Sequence, residues 1–235
     1  MEVTSYRESP APPGLGFACL WSHEQSGSAR APHVQQVVPD GCIDLIWWKD
    51  RAELMVAGPD TGPSPPGRLE PGERLVAVRF RPGTAPPALG VPADAIRDVR
   101  VPLRELWGTE ADRLAEAMAA SSDPHTPLVD AVRARTSAAP DPLVPALVAA
   151  LESHPVREVA GTLGLSERQL RRRAHAAFGY GPKTLQRVLR FQRALRLARA
   201  GEPLADVAYA VGYADQAHMA NEVRDLAGTP IRALL

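Results

Sequence analysis

Nineteen of the 24 prolines in this 235-residue chain fall before residue 143. Proline locks φ and removes a backbone donor, so the first part of the chain cannot be built from long helices, whereas the last part can. Two composition regimes follow, and with them two expected domains, residues 1–138 and 139–235. The 45% apolar content is enough for each to bury a core.

In the first regime, short runs rich in β-branched and aromatic residues recur between Pro and Gly, at residues 16–21, 34–38, 42–48, 53–57 and 74–81. That spacing predicts a small β-barrel or sandwich. Residues 61–73, TGPSPPGRLEPGE, read as a long turn, and residues 81–92 as irregular. From Leu103 the period becomes helical, through Leu106, Trp107, Leu114, Met118, Leu128 and Val132, which predicts trailing helices. Residues 137–142, SAAPDP, read as the linker.

The formal net charge is zero, but it is segregated. Residues 141–235 hold 13 basic and 9 acidic side chains, and residues 1–140 hold 14 and 18. Between Arg168 and Arg199 there are ten basic residues and no Asp or Glu. The two cysteines form no Cys-x-x-Cys, and no two of the six histidines sit at the spacing that places two ligands on one helix face. Neither a metal site nor a cofactor is expected. With no signal peptide and no apolar run of membrane-spanning length, a cytoplasmic, nucleoid-associated protein with reduced thiols is expected.

The basic stretch is threaded with an apolar pattern. Val156, Val159, Ala160 and Leu163 lie at i, i+3, i+4 and i+7, Gly164 ends that helix, and Ser166 with Gln169 can form a capping box for the next. Helix, tight turn and helix make a helix-turn-helix signature. The pattern returns at an offset of 48 residues as Leu204, Val207, Ala208, Val211 and Gly212, with Asp215 as the second cap and Met219 in the place of Leu170. Between the repeats, a helix from Pro182 to Arg199 would span roughly 27 Å at ~1.5 Å per residue. Two recognition helices on its ends could reach major grooves about one turn, ~34 Å, apart. The five arginines from Arg187 to Arg199 drift around its axis, so some must serve packing or pairs within the domain.

The stretches VREVAGTLGLSERQLRRRAHAAFGYGPKTL and LADVAYAVGYADQAHMANEVRDLAGTPI resemble the double helix-turn-helix domain of AraC/XylS-type transcriptional regulators over roughly the last 95 residues. The resemblance implies a sequence-specific DNA-binding regulator without an enzymatic reaction. It assigns base reading to Arg168, Arg171 and Arg172 on the first recognition helix and to Gln216, Ala217 and Asn221 on the second. The residues agree for the first helix, because a buried stripe of Leu170, Ala174 and Phe178 leaves those arginines and His175 outward. Arg173 and Lys183 are placed as phosphate contacts, and His218 as a phosphate contact, a capping residue or a packing residue. On the second helix Asn221 stands where the family usually has an Arg, and Glu222 and Asp225 follow it, so weaker attraction to phosphates is expected there. RNA polymerase is a further expected partner.

Residues 39–48 (PDGCIDLIWW), with VRFRPG at 78–83 and VPLRELWG at 101–108, resemble an uncharacterised domain found ahead of some such regulators. Its position implies a sensor of a small-molecule effector and names no ligand. Strand alternation places Cys42, Asp44 and Trp48 on one face, and Asp44 with Arg79 is a candidate polar centre in a pocket lined partly by Trp21 and Trp48. The rival assignment makes Asp44 a turn cap and the tryptophans core. Two other functions stay open: a DNA-targeted enzyme or thiol sensor using Cys42, and a ligand-independent dimeric DNA-binding protein. A homodimer would use helices near residues 110–119 and 126–135.

Overall fold

The computed structural model describes residues 4–29, 31–64, 67–136 and 141–235. The strands are β1 (Thr4–Ser9), β2 (Phe17–Gln25), β3 (His33–Gln35), β4 (Ile43–Trp48), β5 (Glu53–Ala57), β6 (Gly67–Leu69), β7 (Arg74–Phe80) and β8 (Arg100–Pro102). Six form an antiparallel sheet in the order β1-β2-β7-β4-β5-β8, and β3 and β6 form a separate ribbon. A closed barrel would join β1 to β8. Among the described residues these are instead the two edges of an open sheet.

Alternation along β4 decides which face is core. Ile43, Leu45 and Trp47 are buried, while Asp44, Ile46 and Trp48 on the other face are partly covered. The buried face packs with Leu54, Val56, Val76, Val78 and Phe80 against α1 (Pro86–Leu89), α2 (Leu103–Trp107), α3 (Thr109–Ala120) and α4 (His125–Arg135). The apolar residues of α3 and α4, among them Leu114, Met118, Leu128 and Val132, are spent on this core.

Several details differ from the sequence reading, which expected neither β1 nor β8. The presumed long turn at residues 61–73 contains β6, and the presumed irregular stretch 81–92 contains the one-turn helix α1. Prolines at the first positions of α1 are compatible with it because those N–H groups have no intrahelical partner. The strand expected at residues 34–38 stops at Gln35, and the chain beyond it crosses to the C-terminal domain. The expected linker falls largely on residues 137–140, outside the described residues.

The C-terminal part is helical: α5 (Leu143–Ser153), α6 (Val156–Thr162), α7 (Glu167–Phe178), α8 (Pro182–Arg199), α9 (Leu204–Ala210) and α10 (Gln216–Ala227). Its core gathers the buried stripe of α8, Leu185, Val188, Phe191, Leu195 and Ala198, with Leu170, Ala174 and Phe178 of α7 and Met219, Val223 and Leu226 of α10. No helix among the described residues is long and apolar enough to cross a membrane.

Candidate nucleic-acid interface

Each recognition helix is started by a side chain. At α7 the Ser166 hydroxyl accepts from the Gln169 N–H and the Gln169 side chain accepts from the Ser166 N–H, a complete capping box. At α10 the Asp215 carboxylate accepts from the His218 N–H at 2.7 Å. Both preceding turns need a left-handed residue, and Gly164 and Gly212 supply it at φ 64° and 83°.

On α7 the residues Arg168, Arg171 and Arg172 are exposed, while Leu170, Ala174 and Phe178 are buried. None of these three arginines is held by an ion pair or hydrogen bond among the described residues, so their donors are available to a partner. Arg171 and His175 share an open cleft of about 930 Å³ with Lys183, Thr184 and Arg187 at the start of α8. Arg173 points elsewhere and pairs with Asp141 at 3.5 Å. Lys183 is exposed on the first turn of α8.

On α10 the residues Gln216, Ala217 and Asn221 are exposed. His218 is tied back: its Nδ1 accepts from the Ala214 N–H at 3.4 Å, and its ring meets Tyr213 edge-on at 5.3 Å. Of the two acids expected to weaken this helix, only Asp225 is on the surface. Glu222 is 8% exposed and hydrogen-bonded to Arg187 and Arg190 of α8. Sequence reasoning missed this orientation, although Met219, Glu222, Val223 and Leu226 follow the i, i+3, i+4, i+7 pattern of a buried stripe. Burial by itself raises the Glu222 carboxyl, but the Arg190 hydrogen bonds and charge outweigh it and hold the group below the usual carboxylate range.

In the N-terminal domain, Asp44 and Arg79 are cross-strand partners and form a two-bond ion pair, at 2.9 and 2.8 Å. Asp40 lies 3.8 Å from the same guanidinium and accepts from the Cys42 N–H at 2.8 Å. Burial and the Asp40 charge push the Cys42 thiol up, the reverse of what a reactive thiolate needs. Trp21 and Trp48 lie on the same sheet face, with Trp48 four residues from Asp44, ~13 Å along the strand at ~3.3 Å per residue. Trp48 is stacked under Arg51 at 3.7 Å. Cys42, Asp44 and Arg79 are thus brought together, and the two tryptophans are further along.

The C-terminal domain covers this polar corner. Tyr180, in the turn between α7 and α8, is 2% exposed, and a Cβ on Gly41 would stand 3.5 Å from its hydroxyl. The neighbouring Gly179 has φ 83°, and a Cβ there would meet Pro59 at 2.6 Å, so both backbone conformation and close approach require glycine. Arg97 donates to the Gly179 carbonyl at 3.1 Å, Gln192 to the Pro39 carbonyl at 2.6 Å and Gln36 to the Ala227 carbonyl at 3.2 Å.

Two families match the chain: a helix-turn-helix domain over residues 159–235 and a domain of unknown function, DUF6597, over residues 17–102. No curated protein sequence matches it. Similar solved structures include ToxT from Vibrio cholerae O395, with 9% identity, a TM-score of 0.44 and coverage of 97% of this chain and 95% of that one. Wild-type ToxT with bound unsaturated fatty acid, from V. cholerae strain SCE256, gives 10% identity, a TM-score of 0.41 and coverage of 92% of both chains. The chain joins a DUF6597 domain to an AraC-type helix-turn-helix domain and is a DNA-binding transcription regulator.

Proposed function

We propose that the chain is a one-component, sequence-specific regulator in which an N-terminal sensor, residues 1–138, controls how residues 139–235 engage promoter DNA. The observation that carries the reading is the row of three exposed, unengaged arginines on the capped helix α7. Arginine reads guanine through two parallel hydrogen bonds, so Arg168, Arg171 and Arg172 are the proposed base readers of the first module. Gln216, Ala217 and Asn221 are those of the second, with the amides suited to adenine. Lys183 is the proposed phosphate contact, joined by Arg173 once it exchanges Asp141 for DNA, and by His218 if its ring leaves Tyr213. The first module then dominates affinity and the second adds selectivity.

Control by a small-molecule effector is supported by where the domains touch. The 3-10 turn Ala93–Ile96 packs beside α7, and Arg97 and the Pro39–Cys42 loop hold the turn that follows it. An effector that favoured a different seating of the sensor would move a recognition helix directly. The proposed action is regulatory rather than enzymatic and takes place in the cytoplasm, at DNA and RNA polymerase. Self-association would use the outer faces of α3 and α4. Selection of bound duplexes from a random DNA pool tests the reading: two half-sites about ten base pairs apart are expected. Recovery of no enriched sequence would overturn it.

A further inference from the structure

The densest polar contact in the C-terminal domain involves none of the proposed reading residues. Both oxygens of Glu222 accept from Arg190 Nη2, at 2.6 and 2.8 Å, and one also accepts from Arg190 Nε at 3.1 Å. Arg187 Nε adds a bond of 3.1 Å. The Arg190 guanidinium in turn lies 4.4 Å over the ring of Tyr213, in the turn that leads to α10. One carboxylate therefore ties the connecting helix, the second turn and the second recognition helix together. Its forked geometry fixes orientation as well as distance.

The first module lacks this clamp. Leu170 and Ala174 correspond to Met219 and Val223, which places Arg173 at the position of Glu222. Among the described residues Arg173 pairs with Asp141 alone, at 3.5 Å between side chains 44% and 52% exposed, and it reaches toward α5 rather than α8. Each module packs its apolar stripe on α8, but among the described residues only the second is also locked to it by charge.

We propose that Glu222 is a positioning residue that sets the phase of α10 on α8, and so the half-site spacing the chain accepts. The inference rests on the reading that both modules engage one duplex. Asn221 is the preceding residue on α10, about 100° around the helix, so a rotation that Glu222 prevents would swing Asn221 off its base. Apolar packing alone tolerates such a rotation better than a forked ion pair does.

The test uses the full-length chain and a two-half-site duplex recovered from a random pool by the wild type. Companion duplexes carry one base pair inserted or deleted between the half-sites, or a scrambled second half-site. One base pair turns the second half-site by about 34° and moves it ~3.4 Å, so the wild type should bind the altered spacings about tenfold more weakly. In Glu222→Gln that discrimination falls by about threefold or more, while binding to the scrambled duplex stays at the wild-type level. Arg187→Gln leaves the Arg190 fork in place and gives a smaller loss in the same direction, which serves if Glu222→Gln does not fold. Unchanged spacing discrimination in the folded variants overturns the proposal. So does an equal loss on every duplex, which would make Glu222 a stability element only. A wild-type chain that recovers no paired half-sites removes the two-module reading, and the proposal with it.

Discussion

The two helix-turn-helix modules share a backbone and differ in electrostatics. α6 and α9 have seven residues each, α7 and α10 twelve each, and the turns close alike, with Leu165 N–H donating to the Ala160 carbonyl at 2.8 Å and Tyr213 N–H to that of Ala208 at 2.9 Å. Yet the outward face of α7 carries three unengaged arginines, while α10 presents amides and turns its one buried acid toward α8. The duplicated parts are those that make a helix-turn-helix fold. The parts that differ are those that decide what it touches, one face left exposed with its arginines and the other bound to the connecting helix.

The largest expected effect breaks the second module from α8. Glu222→Ala leaves two arginines without their acceptor and should cost about 3 kcal/mol of unfolding free energy, at the lower end for a buried pair because both arginines reach solvent. Chemical denaturation measures it. The Glu222 carboxyl is held below its unfolded value, so its contribution is complete above about pH 4.3 and is lost as pH falls through the folded value. Thermal unfolding followed from about pH 6 to about pH 3 should show that acid-side loss in the wild type and a shallower one in Glu222→Gln.

Next comes the contrast in proposed reading residues. Arg172→Ala should weaken DNA binding by about 2 kcal/mol and Asn221→Ala by about 1 kcal/mol. The reverse ranking in titrations would show that the second module dominates. Ser166→Ala opens the capping box of α7 and should cost about 1 kcal/mol of stability. Its effect on DNA binding sharpens the comparison, since α7 has no clamp like that at Glu222 to hold it once its first turn frays. The smallest effect belongs to Tyr180→Phe. The buried hydroxyl has no hydrogen-bond partner among the described residues, so its removal should change stability by less than about 1 kcal/mol. A larger loss would mean that the hydroxyl is engaged with the Asp40 corner.

Much of this was legible because its signals are local. The glycine turns, the Ser166 and Asp215 caps and the limits of α8 lie within four residues of the groups that create them. The strands that alternate were readable for the same reason. The edge strand β1 (TSYRES) is polar and largely exposed, so it offers no apolar alternation, and the three-residue strands β6 and β8 are too short to show any. At the candidate interface, the outward arginines of α7 followed from its buried stripe, but the inward turn of Glu222 did not, because its partners are 32 and 35 residues away.

The sequence by itself determined that there are two modules, where their helices begin and end, and that Asp44 and Arg79 could meet across a sheet. Only the tertiary structure decided that Glu222 belongs to α8, that the sheet stays open among the described residues, and that the PDGC loop faces Tyr180. The reason is physical. Caps and periodicity are set by the chain's own neighbours, whereas the partner of a charge or of a loop carbonyl is set by which surfaces the folded core brings together. For the Gln192 bond to Pro39 that means residues 153 positions apart.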